Sequence, residues 1–438
     1  MTKQLLSALF AFLVAAPLLA QTPDKTKLDQ FFGTLEANNK FMGNVTLSKD
    51  GKTVYHKSLG YADVDKKLKV NENTKFRIGS ISKTFTAALI FKAIEEKKLT
   101  LADKLDKYFP TVPNAPKITI AQLLSHSTGI HNFTNDESYL TWNTAAHTEA
   151  QLLDIIVKGG SDFEPGSQNE YSNSNYVLLS YILEKTYKKS YKEIVDQKIV
   201  KPLGLKNTYF GGKINTTANE ANSYTYNGTW NSETETDMSV PLGAGAMVST
   251  TADLSRFLEA LFAGKVVSAA SFDQMKTITN DYGMGIFRYP FLDKEAYGHT
   301  GGIDGFKSMV VYFPEDKLTY AFTSNGTTYN KIGAAVISWY FNKPFEIPDF
   351  TAFAYKTEDL DKYLGVYASK QIPLKITVSK DNALLIAQAT GQSAFPLDPL
   401  ATANNFKFEQ AGLEMEFNPE TKQMVLKQAG AKYTFTKE

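Results

Sequence analysis

Apolar and polar positions follow two rhythms along this chain, and the points where the rhythm changes divide it into elements. Residues 25–38 carry Leu28, Phe31, Phe32 and Leu35 at helical spacing, which predicts an amphipathic helix. Two alternating runs follow, 44–49 and 53–60, joined at Asp50-Gly51, a pair suited to a tight hairpin. A polar connection over 61–75 leads into residues 76–99, FRIGSISKTFTAALIFKAIEEKKL, where helical spacing returns behind Gly79. Lys97 and Lys98 suit the C-terminal end of that helix. Short helical pieces at 101–108 and 120–124 are separated by Pro110, Pro113 and Pro116. Helices are predicted again at 176–184, at 191–200, and within 243–264 behind a cap at Ser249 or Thr250. The Asn- and Thr-rich stretch ending at Met238 reads as loops.

Strand character resumes over 294–324, with a hairpin around 314–317, and 329–341 closes as an apolar helix. This order predicts an α/β (α+β) fold: one antiparallel sheet flanked by helices, with an all-helical lobe on one side. At 342–350, NKPFEIPDF, two prolines interrupt all periodicity. Beyond it, short alternating runs at 374–378, 383–388, 406–409, 414–417, 424–427 and 433–437 predict a small antiparallel β-barrel. The expected division is a first domain over 21–345, a linker over 346–354, and the barrel over 355–438.

Composition narrows the function classes. A formal net charge of +1 and only three arginines, Arg77, Arg256 and Arg288, give no basis for nucleic acid as a partner. The chain has no cysteine, which excludes disulfides, thiol catalysis and thiolate metal sites. Residues 1–20 read as a cleaved signal peptide: Lys3 at the start, an apolar run over 5–19, and Ala20 before Gln21. That run is shorter than the ~20 residues a membrane span needs. An exported, periplasmic or secreted, protein with no stable membrane span is expected.

Chemistry-bearing residues fall in three clusters. Ser80 is the only serine followed by lysine three positions on, at Lys83, and both start a predicted helix. An amine at that spacing can take the hydroxyl proton once desolvation lowers its pKa, and a helix N-terminus helps stabilise an oxyanion. The bland alternative is a helix start with a surface lysine. The second cluster is Tyr171-Ser172-Asn173, in an extended loop before the 176–184 helix. Residues at i and i+2 point the same way there, so a phenol and an amide can line one cleft. A phenol near an ammonium can titrate far below its usual value of about 10 and serve as a base. A helix-capping run with a packing tyrosine explains the same residues. The third cluster is His299-Thr300-Gly301-Gly302, on a Gly-rich strand able to approach a ligand closely.

His126, in LLSHSTGIHNF, is a candidate base and equally a residue that braces its loop. Arg288 is a candidate for binding a substrate carboxylate. His131 and His147 have no partner at metal-binding spacing and His56 sits in a predicted strand, so no metal is expected. No Gly-x-Ser-x-Gly elbow is present.

Taken together and in this order, the three clusters resemble the serine β-lactamase and penicillin-binding-protein superfamily. The branch is that of class C β-lactamases, DD-peptidases and related esterases. The similarity spans residues 28–341 and includes LLSHSTGI, PGSQNEYSNSNY, KPLGLKNT and STTADLSRF. The C-terminal segment resembles the lipocalin-like barrel often appended to such hydrolases. The resemblance implies Ser80 as the acylated nucleophile, Lys83 as its activating amine, and Tyr171 as the proton relay. It implies Asn173 at the substrate carbonyl and Lys83, an oxyanion hole from the backbone N–H groups of Ser80 and Gly302, and Thr300 at a substrate carboxylate. It implies no cofactor.

His299 stands where β-lactamases of this superfamily have lysine, and a neutral histidine gives up a fixed positive charge. Antibiotic hydrolysis therefore ranks below peptidase and esterase activity. The preferred reading is a D-alanyl or D-amino-acid peptidase resembling DD-carboxypeptidases, acting on a small-molecule or peptide substrate of possible peptidoglycan origin. Small acyl esters are the runner-up. A penicillin-binding sensor without turnover and a structural envelope protein are the rivals from other classes.

Overall fold

A computed structural model describes residues 24–381, 384–392 and 394–438; the expected signal peptide over 1–20 lies outside the described residues. The first helix, α1 (Thr26–Ala37), buries Leu28, Phe31, Phe32 and Leu35, the four positions set by the helical spacing. β1 (Phe41–Lys49) and β2 (Lys52–Leu59) form the Asp50-Gly51 hairpin, both turn residues having positive φ. A single 3-10 turn, Gly79–Ile81, leads into α2 (Ser82–Glu95). Buried on nearly every side, α2 is the axis of a helical lobe that includes α3 (Asn173–Tyr187) and α4 (Thr251–Phe262). Phe85 of α2 stacks on Phe257 of α4 with 3.7 Å between ring centroids.

The chain then returns to the sheet through β3 (Phe287–Phe291), β4 (Lys294–Ile303), β5 (Phe306–Phe313) and β6 (Leu318–Thr327), followed by α5 (Ile332–Tyr340). The antiparallel order is β3-β4-β5-β6-β1-β2, so β6 pairs with β1 and the helical lobe is an insertion between the two halves. α1 and α5 cover one face with an aromatic core of Phe31, Phe32, Tyr55 and Trp339. The lobe covers the other, burying Lys83 and leaving Ser80 partly exposed where the 3-10 turn meets β4.

Eight further strands close a barrel: β7 (Gly365–Ser369), β8 (Lys375–Asp381), β9 (Leu384–Ala389), β10 (Phe395–Pro399), β11 (Asn405–Phe408), β12 (Leu413–Asn418), β13 (Gln423–Gln428) and β14 (Ala431–Lys437). The six predicted runs fall on six of them. β7 and β10 escaped prediction; Pro396 and Pro399 mask β10, since proline is depleted in strands. The barrel docks on the first domain through Lys40–Asp398 at 2.9 Å and Asn330 Nδ2 donating to the Glu409 carbonyl at 3.0 Å. Residues 342–350 carry no regular structure, as their prolines predict.

The expected boundary after residue 345 leads to one outcome. A chain ending at Phe350 keeps α5 and its aromatic core, and is expected to be soluble and to unfold cooperatively in urea. Insoluble product would sink the boundary.

Three predicted elements need correction. The 191–200 helix is α-helical only to Val195; a π turn, Asp196–Val200, follows. Pro202 lacks the N–H that would continue an α-helical ladder, and the wider turn lies directly ahead of it. The closing helix starts at Ile332 rather than 329, because Thr327 and Tyr329 are tied into a turn that ends β6. The helix predicted over 176–184 begins three residues earlier, at Asn173, so this amide sits at a helix start and not in an extended loop. Ser249 and Thr250 separate cleanly: Thr250 caps α4 by accepting from the Asp253 N–H, while Ser249 ends a short strand paired with Phe76–Arg77.

Candidate active site

Ser80 lies in the 3-10 turn and Lys83 at the head of α2, so the helical register brings them together. Lys83 is fully buried, with Nζ 3.0 Å from Ser80 Oγ, 2.7 Å from Asn173 Oδ1 and 2.8 Å from the Ala244 carbonyl. Three contacts would suit an ammonium, but burial pushes Lys83 well below its usual pKa. A neutral amine satisfies the same three contacts: two N–H groups donate to Asn173 and Ala244, and the lone pair accepts from the Ser80 hydroxyl.

Tyr171 lies with Ser80 on the wall of one cavity, and the Ser80 hydroxyl favours its charged form. The expected drop in its pKa does not occur. Burial raises it first, only partly offset by Ser80, and the neighbouring Tyr289 and Tyr282 raise it further. The Lys83 ammonium that would have lowered it is itself disfavoured by burial. Tyr171 is therefore a neutral phenol beside an amine whose charged form burial disfavours, an acid and a base set apart by environment.

Asn173 is held by a residue the sequence reading passed over. The Asn173 N–H donates to Asn132 Oδ1 at 3.0 Å, and its Nδ2 donates to Thr134 Oγ1 at 3.0 Å and Asn132 Oδ1 at 3.3 Å. Asn132 lies within LLSHSTGIHNF, so the segment was visible while the role was not. His126 is the brace of this loop. Its Nδ1 accepts from the Ser172 N–H at 3.1 Å, and its ring stacks on Tyr171 at 4.5 Å. Burial, then Lys83 and His299, hold His126 well below its usual pKa, so it stays neutral.

The third side of the site is β4. A Cβ on Gly301 would stand 2.0 Å from the Ile78 carbonyl oxygen, so only glycine permits this strand to lie against the turn carrying Ser80. Gly302 borders Ser80 in the two cavities that flank it. β3 pairs with β4 no further than Phe287–Gly298, leaving the outer backbone edge of Thr300–Gly302 open to a ligand. Thr300 and Tyr289 line the same cavity. His299 is buried, with Nδ1–H donating to the Thr300 carbonyl and Nε2 without a partner among the described residues. Burial and, secondarily, Lys83 push it down to about 3, so it carries no charge at neutral pH.

Arg288 does not join the site. It sits half-exposed on β3 and pairs with Glu295 at 3.1 Å. Another arginine matters more. Arg77 is buried on the strand before Ser80 and holds Asp304 at 2.9 Å, Glu235 at 3.0 Å and the carbonyls of Gly212 and Thr236. It ties the Asp304-Gly305 turn between β4 and β5 to the wall over residues 233–236. Nothing in its local sequence signals that role.

Two cavities open from Ser80. One, of about 400 Å³, runs past Asn173, Tyr139, Asn143 and Glu233; the other, of about 270 Å³, runs past Tyr171, Tyr282, Phe287 and Thr300. Among the described residues no group of three or more histidine and acidic side chains could hold a metal ion, and no helix is long and apolar enough to cross a membrane.

The sequence profile of the Beta-lactamase family matches residues 28–337, and the chain belongs to that family. It is a serine hydrolase. Penicillin-binding protein 4* of Bacillus subtilis (strain 168) is 29% identical over 427 residues, covering 89% of this chain and 93% of its own. Teichoic acid D-alanine hydrolase of Staphylococcus aureus is 26% identical over 320 residues, covering 72% and 76%. The crystal structure of D-amino acid amidase from Ochrobactrum anthropi SV3 with D-phenylalanine superposes with a TM-score of 0.61 at 25% identity, covering 68% of this chain and 91% of that one.

Proposed function

We propose that the protein is an exported hydrolase of D-aminoacyl substrates that works through an acyl-enzyme on Ser80. The observation that carries this reading is the buried Lys83 amine 3.0 Å from Ser80 Oγ, its charged form disfavoured by burial, opposite the neutral Tyr171 phenol. Lys83 accepts the Ser80 proton as Oγ bonds to the substrate carbonyl carbon. The backbone N–H groups of Ser80 and Gly302 receive the developing oxyanion. As the tetrahedral intermediate collapses, Tyr171 protonates the leaving nitrogen or oxygen and recovers a proton from the Lys83 ammonium. Deacylation repeats these transfers with water as the attacking group. Asn173 holds Lys83 and the carbonyl side of the substrate, and Thr300 meets a leaving-group carboxylate with neutral His299 behind it.

Relatives named as a D-alanine hydrolase and a D-amino acid amidase support D-stereospecificity. The finer reading is a D-alanyl or D-amino-acid peptidase of carboxypeptidase type, on peptides of peptidoglycan origin. The neutral His299 favours uncharged small acyl esters as the second reading. Matched D- and L-alanyl amides, supplied beside a panel of simple esters, separate the two. D-selectivity of roughly tenfold or more in kcat/KM is expected, as an added hydrogen-bonded contact supplies. Equal handling of both enantiomers, with faster ester turnover, would give the second reading the field.

A further inference from the structure

The 400 Å³ cavity beside Ser80 has a lopsided charge. Its lining includes the acids Glu233 and Asp304 and no lysine, arginine or histidine. Asp304 is already matched: Arg77 binds Oδ2 at 2.9 Å, and the Thr236 N–H and hydroxyl donate to Oδ1 at 3.1 and 2.6 Å. Arg77 also pairs with Glu235 at 3.0 Å, so this one cation faces two carboxylates. No hydrogen bond or ion pair of the Glu233 carboxylate occurs among the described residues, although Glu233 is half-buried. An unmatched carboxylate withdrawn from bulk water favours a cation. The second cavity at Ser80 lacks any acidic side chain.

Position within the site says which part of a substrate such a cation belongs to. The Glu233 cavity contains Asn173, on the carbonyl side, whereas the other contains Tyr171, the donor to the leaving group. The acyl half of the substrate therefore occupies the Glu233 side. We infer that Glu233 binds the free α-ammonium of the acyl residue, so that the substrates are amides or esters of an unblocked D-amino acid and not N-acylated peptides. The inference rests on the D-aminoacyl reading above and replaces its carboxypeptidase form, in which the acyl residue has no free amine. The same cavity is lined by Tyr139 and Asn143, the Asn143 amide donating to Thr236 Oγ1 at 3.0 Å, and by Phe133 and Pro241, apolar surface for the side chain of a small D-residue.

The test compares D-alanyl anilide with N-acetyl-D-alanyl anilide on the full chain and on Glu233→Gln. The wild type is expected to prefer the free amine, and Glu233→Gln to reduce the ratio of the two kcat/KM values roughly tenfold, the scale of one charge-assisted hydrogen bond. Glu233→Asp is expected to keep part of the preference. Above the pKa of the substrate amine, about 8, the wild-type preference should fade, a response that a purely structural role for Glu233 would not produce. Equal turnover of both anilides by wild type, or an unchanged ratio in Glu233→Gln, overturns the inference and leaves the D-aminoacyl reading standing. Failure to hydrolyse either anilide, with Ser80 still acylated by a penicillin, overturns both.

Discussion

Replacing Ser80 with alanine is expected to reduce turnover to background, a loss of at least about 10⁴-fold in kcat, while the chain stays folded. The hydroxyl is small and its neighbours do not depend on it for support. Lys83 keeps its contacts with Asn173 and Ala244, and Tyr171 keeps its stacking on His126. No other side chain at the site can replace the nucleophile, since the amine of Lys83 lies beneath Ser80 and is fully buried. Intact mass after incubation with a penicillin gives the second readout: one adduct on the wild type, none on Ser80→Ala. Residual hydrolysis near the wild-type rate, or an adduct on the variant, would remove Ser80 from the mechanism.

The second large effect is on stability. Arg77→Met takes away the partner of Asp304, whose side chain is 3% exposed, and leaves that carboxylate buried. Breaking a buried pair from one side costs about 3–5 kcal/mol. The Thr236 donors to Asp304 soften the loss, so the lower end is expected, read as a fall in the urea midpoint. Asp304→Asn in the same chain should recover part of it, because the stranded charge is then gone. A single-variant loss under about 1 kcal/mol would mean that the pair behaves as a surface salt bridge. KM should also rise, because Arg77 sets the wall over residues 233–236.

Local pattern made much of this molecule readable. Helical spacing located α1 and α2, Asp50-Gly51 located the first hairpin, and order alone implied a sheet with an inserted helical lobe. The same reasoning did not extend to Asp304-Gly305, an equivalent turn signal hidden between glycines in a segment read mainly for its chemistry. Ser80 with Lys83 and Tyr171 with Asn173 stood out by spacing and His299–Gly302 by their glycines, their roles coming from the resemblance; the structure places all of them but Lys83, which is buried in contact with Ser80, on one pair of cavities. What spacing could not supply was environment. Whether a phenol is lowered or raised depends on burial and on Tyr282 and Tyr289, more than a hundred residues away. Asn132, Ala244 and Arg77 act through long-range contacts that no periodicity encodes.

The tight seam between Ile78 and Gly301 has a consequence for how this hydrolase can diversify. Nucleophile, amine and strand are locked into a single floor in which a methyl group added at Gly79 or Gly301 does not fit. The surrounding walls come from separate pieces of chain: residues 133–143, 224–236 and 282–289. Each is fastened to the floor by its own bonds: Thr134 to Asn173, Glu235 and Thr236 to Arg77, and Gly285 to Thr84. Replacing a wall segment changes what is admitted without disturbing how it is cleaved. A designer seeking a new acyl specificity would therefore recast residues 224–236 and leave the Ser80 turn untouched.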